Sequence, residues 1–93
     1  MTESAHGQPV PLDLTLEERW VAHAAVLRAL EGAEGGSDWC DVSLLETVER
    51  SDEFMPAELR ALRTALTRYL VDAPPRDREV VESLLDTLDA ALA

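Results

Sequence analysis

Three breaks divide this chain into four segments, each repeating apolar residues every three or four positions. The breaks are the glycines within 32–36, the link 51–55, and the Pro74-Pro75 pair. This spacing puts apolar side chains on one face of an α-helix, and the chain has no alternating pattern typical of a strand. A chain of 93 residues has room for one domain. The sequence therefore predicts an all-α fold, a compact four-helix bundle that is either antiparallel or orthogonal.

The first helix has the clearest predicted boundaries. Thr15 and Glu18 have the spacing of a capping box, which satisfies two free N–H groups at a helix start. The glycines end the helix near residue 32. The apolar stripe predicted to face the core consists of Leu16, Trp20, His23, Leu27 and Leu30, with Ala24 beside them.

The other three helices are predicted from similar signals. The second runs from Val42 to about Arg50, with polar N-cap candidates before it. The third begins at Pro56, since proline is tolerated in a first turn, and its stripe includes Leu59, Leu62, Leu66 and Tyr69. Pro74-Pro75 opens the fourth, whose broad apolar side contains Val80, Val81, Leu84, Leu85, Leu88 and Leu92.

Residues 1–14 lack helical periodicity and contain Gly7, Pro9 and Pro11. They are predicted to form a flexible N-terminal leader, and residues 15–93 a single helical domain. Three apolar residues of the leader could dock as a short extended strap over the bundle: Val10, Leu12 and Leu14.

The charge of the chain is strongly acidic. It has 19 acidic residues against eight basic ones, a net charge of −11, and all eight bases are arginine. The absence of lysine, asparagine and isoleucine is typical of a GC-rich genome. At about 1 M salt the Debye length falls to about 3 Å, so repulsion among the carboxylates is screened. We expect a protein adapted to concentrated salt; an acidic protein from a GC-rich mesophile is the alternative.

Signals for export or membrane insertion are missing from the sequence. Residues 1–10 have neither the basic start nor the apolar run of a secretory signal. No apolar stretch reaches the roughly 18 residues that a membrane-spanning helix needs. The single cysteine, Cys40, cannot form an intramolecular disulfide, which fits a reducing compartment. We expect a cytoplasmic protein that binds no membrane.

Motifs for catalysis or cofactor binding are also missing. The soft or borderline metal ligands are His6, His23 and Cys40, and none lies near another in sequence. No lysine follows the glycines, so no phosphate-binding loop is formed, and no serine has the setting of a nucleophile elbow. The sequence predicts no catalytic, cofactor-binding or metal-binding residues and indicates that the protein is not an enzyme.

Two features suggest contact with a partner. Arg60, Arg63 and Arg68 fall on the outer face of the third helix, in a stretch where bases outnumber acids. They form either a solvated face paired with nearby carboxylates or a contact surface for an acidic partner or nucleic acid. Trp39 either covers the end of the bundle or stays exposed as a contact residue.

These features favour a small, non-catalytic protein-interaction module. An apolar stripe left over on the first or fourth helix would pair with another protein or with a second copy of the chain. The alternative is a nucleic-acid-binding regulator that uses the arginine face of the third helix.

Several short segments carry a family resemblance. They are Trp20-Val21-Ala22-His23, the segment 58–63, Tyr69, and the Asp77-Arg78 start of the last helix. With these, the chain from about Leu14 to Leu92 resembles a group of short haloarchaeal proteins of unassigned function. The resemblance implies a salt-rich setting and implies no catalytic residues.

Overall fold

The structure, a computed structural model, describes residues 8–32 and 42–93. Within those ranges the elements are β1 (Val10–Pro11), α1 (Leu16–Gly32), α2 (Val42–Arg50), β2 (Glu53–Phe54), α3 (Pro56–Asp72) and α4 (Pro75–Leu92). The predicted all-α four-helix fold is confirmed, and the predicted helix boundaries agree closely with the observed ones.

Side chains at the helix starts explain these boundaries. At α1 the Thr15 N–H donates to Glu18 Oε1 at 2.9 Å, and the Glu18 N–H donates to Thr15 Oγ1 at 3.0 Å, which is the predicted capping box. At α3 the Met55 N–H donates to Glu58 Oε1 at 2.8 Å. The Thr47 hydroxyl donates to the other Glu58 oxygen at 3.0 Å, so this carboxylate also joins α2 to α3.

The core lies where α1 and α3 meet the other two helices. α1 packs against α2, α3 and α4, and α3 packs against α2 and α4. All four helices and the strap contribute to one cluster of buried side chains: Leu12, Val21, Ala22, Ala25, Val26, Leu30, Leu44, Val48, Phe54, Leu59, Leu62, Ala65, Leu66, Val81, Leu84 and Leu88. The predicted stripe of α4 is used in full, because its remaining members, Val80, Leu85 and Leu92, pack against this cluster.

The predicted inner face of α1 is wrong. Of the predicted stripe only Leu30 is buried, whereas the buried face is formed by Val21, Ala22, Ala25, Val26 and Leu30. α1 is apolar on two opposite sides, so periodicity alone permits either side to face inward. The larger residues lie on the side that the sequence predicts to face the core. In the fold the side with Ala22 and Ala25 faces inward, on a helix that packs against all three others.

A short strap precedes α1. β1 pairs antiparallel with β2, with Val10 opposite Phe54, and the Leu12 N–H donates to the Asp52 carbonyl at 2.8 Å. Leu12 is buried, and Val10 and Leu14 are partly buried against the core, as the docking prediction requires. The strands themselves were not predicted, because two residues are too few to show an alternating pattern.

Arg19 links α1 to the end of α2. Its guanidinium donates to the Val48 carbonyl at 2.6 Å, to the Ser51 carbonyl at 3.0 Å and to Asp52 Oδ1 at 2.7 Å. The last carbonyls of a helix have no partner within the helix and carry partial negative charge. Arg19 therefore acts as a tertiary C-cap for α2.

No helix in the described ranges is both long enough and apolar enough to span a membrane.

Candidate functional site

The outer face of α1, by which we mean Leu16, Trp20, His23 and Leu27, is the largest departure from an ordinary polar helix surface. Leu16 is 81% exposed, Trp20 70% and Leu27 40%. These residues recur at spacings of three and four, so they align over roughly 16 Å at 1.5 Å per residue. Scattered exposed apolar residues are normal, but a row that includes a tryptophan is typical of an interaction site.

The Trp20 side chain has ordered neighbours despite its exposure. Its ring meets the His23 ring edge to face, with centroids 6.3 Å apart and planes at 64°. His23 Nε2 in turn lies 2.8 Å from Glu49 Oε2 on α2. A chain of contacts from α2 through His23 thus reaches the indole and favours one orientation of it.

Trp20 separates two surface grooves. The first, of about 330 Å³, lies between α1 and α2 and is lined by Leu16, Arg19, Trp20, His23 and Glu49. The second, of about 310 Å³, lies between α1 and the start of α4 and is lined by Glu17, Trp20, Val21, Ala24, Arg76 and Asp77. Their common wall is an apolar ring, so the outer face of α1 is not flat and can accept side chains on either side of Trp20.

The rim of these grooves is acidic. It contains the carboxylates of Glu17, Glu49 and Asp77 and the guanidinium groups of Arg19 and Arg76. Arg19 is engaged with Asp52 and two carbonyls, Glu49 lies against His23, and Asp77 accepts a hydrogen bond from Tyr69. Within the described part of the chain, Glu17 forms no salt bridge. Negative charge therefore exceeds positive charge around Trp20.

The predicted arginine face is present on α3 and is partly neutralised. Arg60, Arg63 and Arg68 are all exposed. The Arg63 Nε–H donates to Asp89 Oδ1 at 2.5 Å, linking α3 to α4. The hydroxyls of Thr64 and Thr67 donate to carbonyls of their own helix rather than pointing away from it. For Arg63 this geometry matches the alternative of a solvated, carboxylate-paired face.

Trp39, the other predicted contact residue, lies outside the described residues, and so do His6 and Cys40. Among the residues that are described, no three or more His, Cys, Asp or Glu side chains gather as a metal site requires.

A polar cluster near the α3–α4 junction has a structural role. The Tyr69 hydroxyl donates to Asp77 Oδ2 at 2.9 Å, and Arg28 Nη2 lies 2.7 Å from Asp72 Oδ2. Burial, together with the bond to Asp77 and its negative charge, raises the pKa of Tyr69 above its ordinary value. The tyrosine hydroxyl thus joins α3 to the first turn of α4 through the Asp77 carboxylate.

Sequence reasoning identified the apolar row on α1 and placed it in the core. The signal that could have identified it as surface is the second row on the same helix, containing Val21, Ala25 and Leu30. When a surface helix is apolar on two sides, one side packs in the core and the other is exposed to solvent, where a partner can cover it.

The described residues define a class: a small all-α domain of four helices with an exposed apolar helix face. The chain belongs to the family of unknown function DUF7853, whose model matches residues 12–89. The match includes all of α1, α2 and α3 and most of α4. Comparison with curated proteins and with solved structures finds no match.

Proposed function

We propose that this protein is a non-catalytic interaction module that binds a protein partner through the outer face of α1. The observation that carries the proposal is the exposure of Leu16 and Trp20, about one helical turn apart on α1, which packs against all three other helices. Tryptophan in such a setting is enriched among residues that dominate binding energy. The apolar side of α4 is used by the core, and α2 and α3 each expose a single large apolar side chain, Val42 and Val71, whereas α1 exposes a row of them.

The energetics favour binding at this face. Complete burial of a large apolar side chain contributes roughly 1.5–3 kcal/mol. The edge-to-face contact between Trp20 and His23 favours one orientation of the indole, which reduces the conformational entropy lost when a partner covers it. The arginine face has weaker support, since Arg63 is paired with Asp89.

The test uses a partner that is cross-linked to the protein in cells, identified by mass spectrometry and then purified. Leu16→Ser combined with Trp20→Ser is expected to weaken the measured Kd at least roughly 100-fold, about 2.8 kcal/mol. Because both side chains are exposed, the stability of the variant should change by no more than about 0.5 kcal/mol. Isothermal titration calorimetry and urea denaturation measure the two quantities.

Two control variants make the test specific. Val71→Ser removes an apolar side chain that is 74% exposed on α3, and it should leave the Kd unchanged. Replacing Arg60, Arg63 and Arg68 with serine should also leave it unchanged. An unaltered Kd for the double variant, or a Kd lost only in the arginine variant, would contradict the proposal.

We infer further that the protein works in a salt-rich cytoplasm, as in a haloarchaeon. The support is the excess of 19 acidic over eight basic side chains. Many of the carboxylates, such as Glu79, Glu82 and Asp86 on α4, are exposed. In dilute buffer these charges repel one another, and concentrated salt screens the repulsion.

Melting temperature should therefore rise when KCl is increased from dilute buffer to about 1 M, where the Debye length is near 3 Å. A domain of this size gains roughly 4–8 °C for each kcal/mol of relieved repulsion. Calorimetry across the salt series measures the slope. Changing Glu79, Glu82 and Asp86 to their amides should reduce that slope, and a melting temperature indifferent to salt would overturn the inference.

A further inference from the structure

We propose that the occupant of the outer face of α1 is a basic, amphipathic helical segment of the partner. This inference rests on the proposed function, and it specifies the chemistry of what binds there. It follows from the extent of the face, the shape of its grooves and the charge of their rim.

The extent of the face fits one helix. Its four side chains extend over roughly 16 Å, or three helical turns. A tryptophan buries about 150–250 Å². A row of apolar side chains of this length matches the apolar side of a single amphipathic helix.

The shape of the face fits the apolar side of such a helix. The grooves on the two sides of Trp20 can each accept side chains from a helix that lies against α1. Residues spaced three and four apart on a partner helix project from one side and would enter these grooves, as in helix-in-groove recognition.

The charge of the rim selects a cationic occupant. Carboxylates outnumber guanidinium groups around Trp20, three against two. A second copy would bring the same carboxylates into a two-fold interface, where like charges oppose each other. Arginine or lysine beside the apolar anchors of a partner helix would instead face Glu17, Glu49 and Asp77.

The probe is a synthetic helical peptide of about 18 residues, or five turns, with leucines at helical spacing flanked by arginines. A matched peptide has glutamate in place of each arginine, and neither contains tryptophan. In a Trp39→Phe background the emission of Trp20 reports binding, and calorimetry on the unaltered chain gives an independent Kd. At ~0.1 M KCl the basic peptide should shift the Trp20 emission to the blue and bind at least roughly tenfold more tightly than the acidic one.

Two substitutions test the rim and the face. Glu17→Gln should weaken binding of the basic peptide about two- to fivefold, whereas Asp86→Asn, a control that removes another exposed carboxylate on α4, should not. Leu16→Ser should weaken binding of both peptides. Raising KCl to ~1 M should reduce the preference for the basic peptide without abolishing it, because contacting charges lie within the ~3 Å Debye length.

Three outcomes would overturn the inference. The first is equal affinity for the two peptides, which would indicate apolar recognition without charge selection. The second is sedimentation of the protein alone as a dimer that Leu16→Ser dissociates, which would make a second copy the occupant. The third is that neither peptide binds, although binding of the purified partner still requires Leu16 and Trp20. In that case the proposed function stands and only the cationic helix is excluded.

Discussion

Replacing Phe54 with alanine is expected to lower the free energy of unfolding by about 3–5 kcal/mol. Phe54 is completely buried, and it lies in β2 opposite Val10 of the strap. Its removal leaves a cavity that the surrounding core cannot fully close. Urea denaturation monitored by circular dichroism measures the loss, since the helices report global unfolding.

The neighbouring residue supplies a matched control. Met55 is partly exposed at the N-cap of α3, so Met55→Ala should cost less than about 1 kcal/mol. Phe54→Leu, which keeps most of the apolar volume, should fall between the two. A cost for Phe54→Ala no greater than that for Met55→Ala would show that the strap and β2 contribute little to the core.

Replacing Arg19 with methionine is expected to destabilise the fold by about 2–3 kcal/mol, because it leaves the carbonyls of Val48 and Ser51 without their charged donor. The contact with Asp52 contributes less, since that carboxylate is largely exposed to solvent. Denaturation of the Arg19→Met variant, compared with the unaltered chain, gives the loss directly.

Three further variants separate capping from charge. Arg19→Lys should recover only part of the stability, because one ammonium group cannot reproduce the planar guanidinium contacts. Asp52→Asn should cost less than about 1 kcal/mol. Arg60→Met, on the exposed face of α3, should change stability by less than about 0.5 kcal/mol. Equal effects of Arg19→Met and Arg60→Met would show that Arg19 is not a structural cap.

The features that local chemistry controls were predictable from sequence. The capping pair Thr15 and Glu18 marked the start of α1, and prolines marked the starts of α3 and α4. In each case residues within one helical turn of each other supply a capping hydrogen bond or lack a backbone donor. The sequence of that one turn is therefore enough to predict the helix start. The sides of α3 and α4 that face the core were also predictable, because each of those helices has one apolar side.

The orientation of α1 was not predictable in the same way. Both of its sides are apolar, and the choice between them depends on the packing of α1 against the other helices. That packing joins residues far apart in sequence. The link from Arg19 to the end of α2 was also missed, since its acceptors are main-chain carbonyls that no sequence pattern displays. The arginine face was found, but its pairing with Asp89 again required the tertiary arrangement.

The two apolar sides of α1 share one rigid backbone, and this constrains how the segment can change in evolution. Inserting or deleting one residue within Leu16–Gly32 would rotate everything beyond it by about 100° around the helix axis. Such a change would turn Leu27 away from the line of Leu16 and Trp20, or else move Leu30 out of the interior. Substitutions can adjust either side separately, but the length of α1 cannot change without disrupting the alignment of one of its two apolar sides.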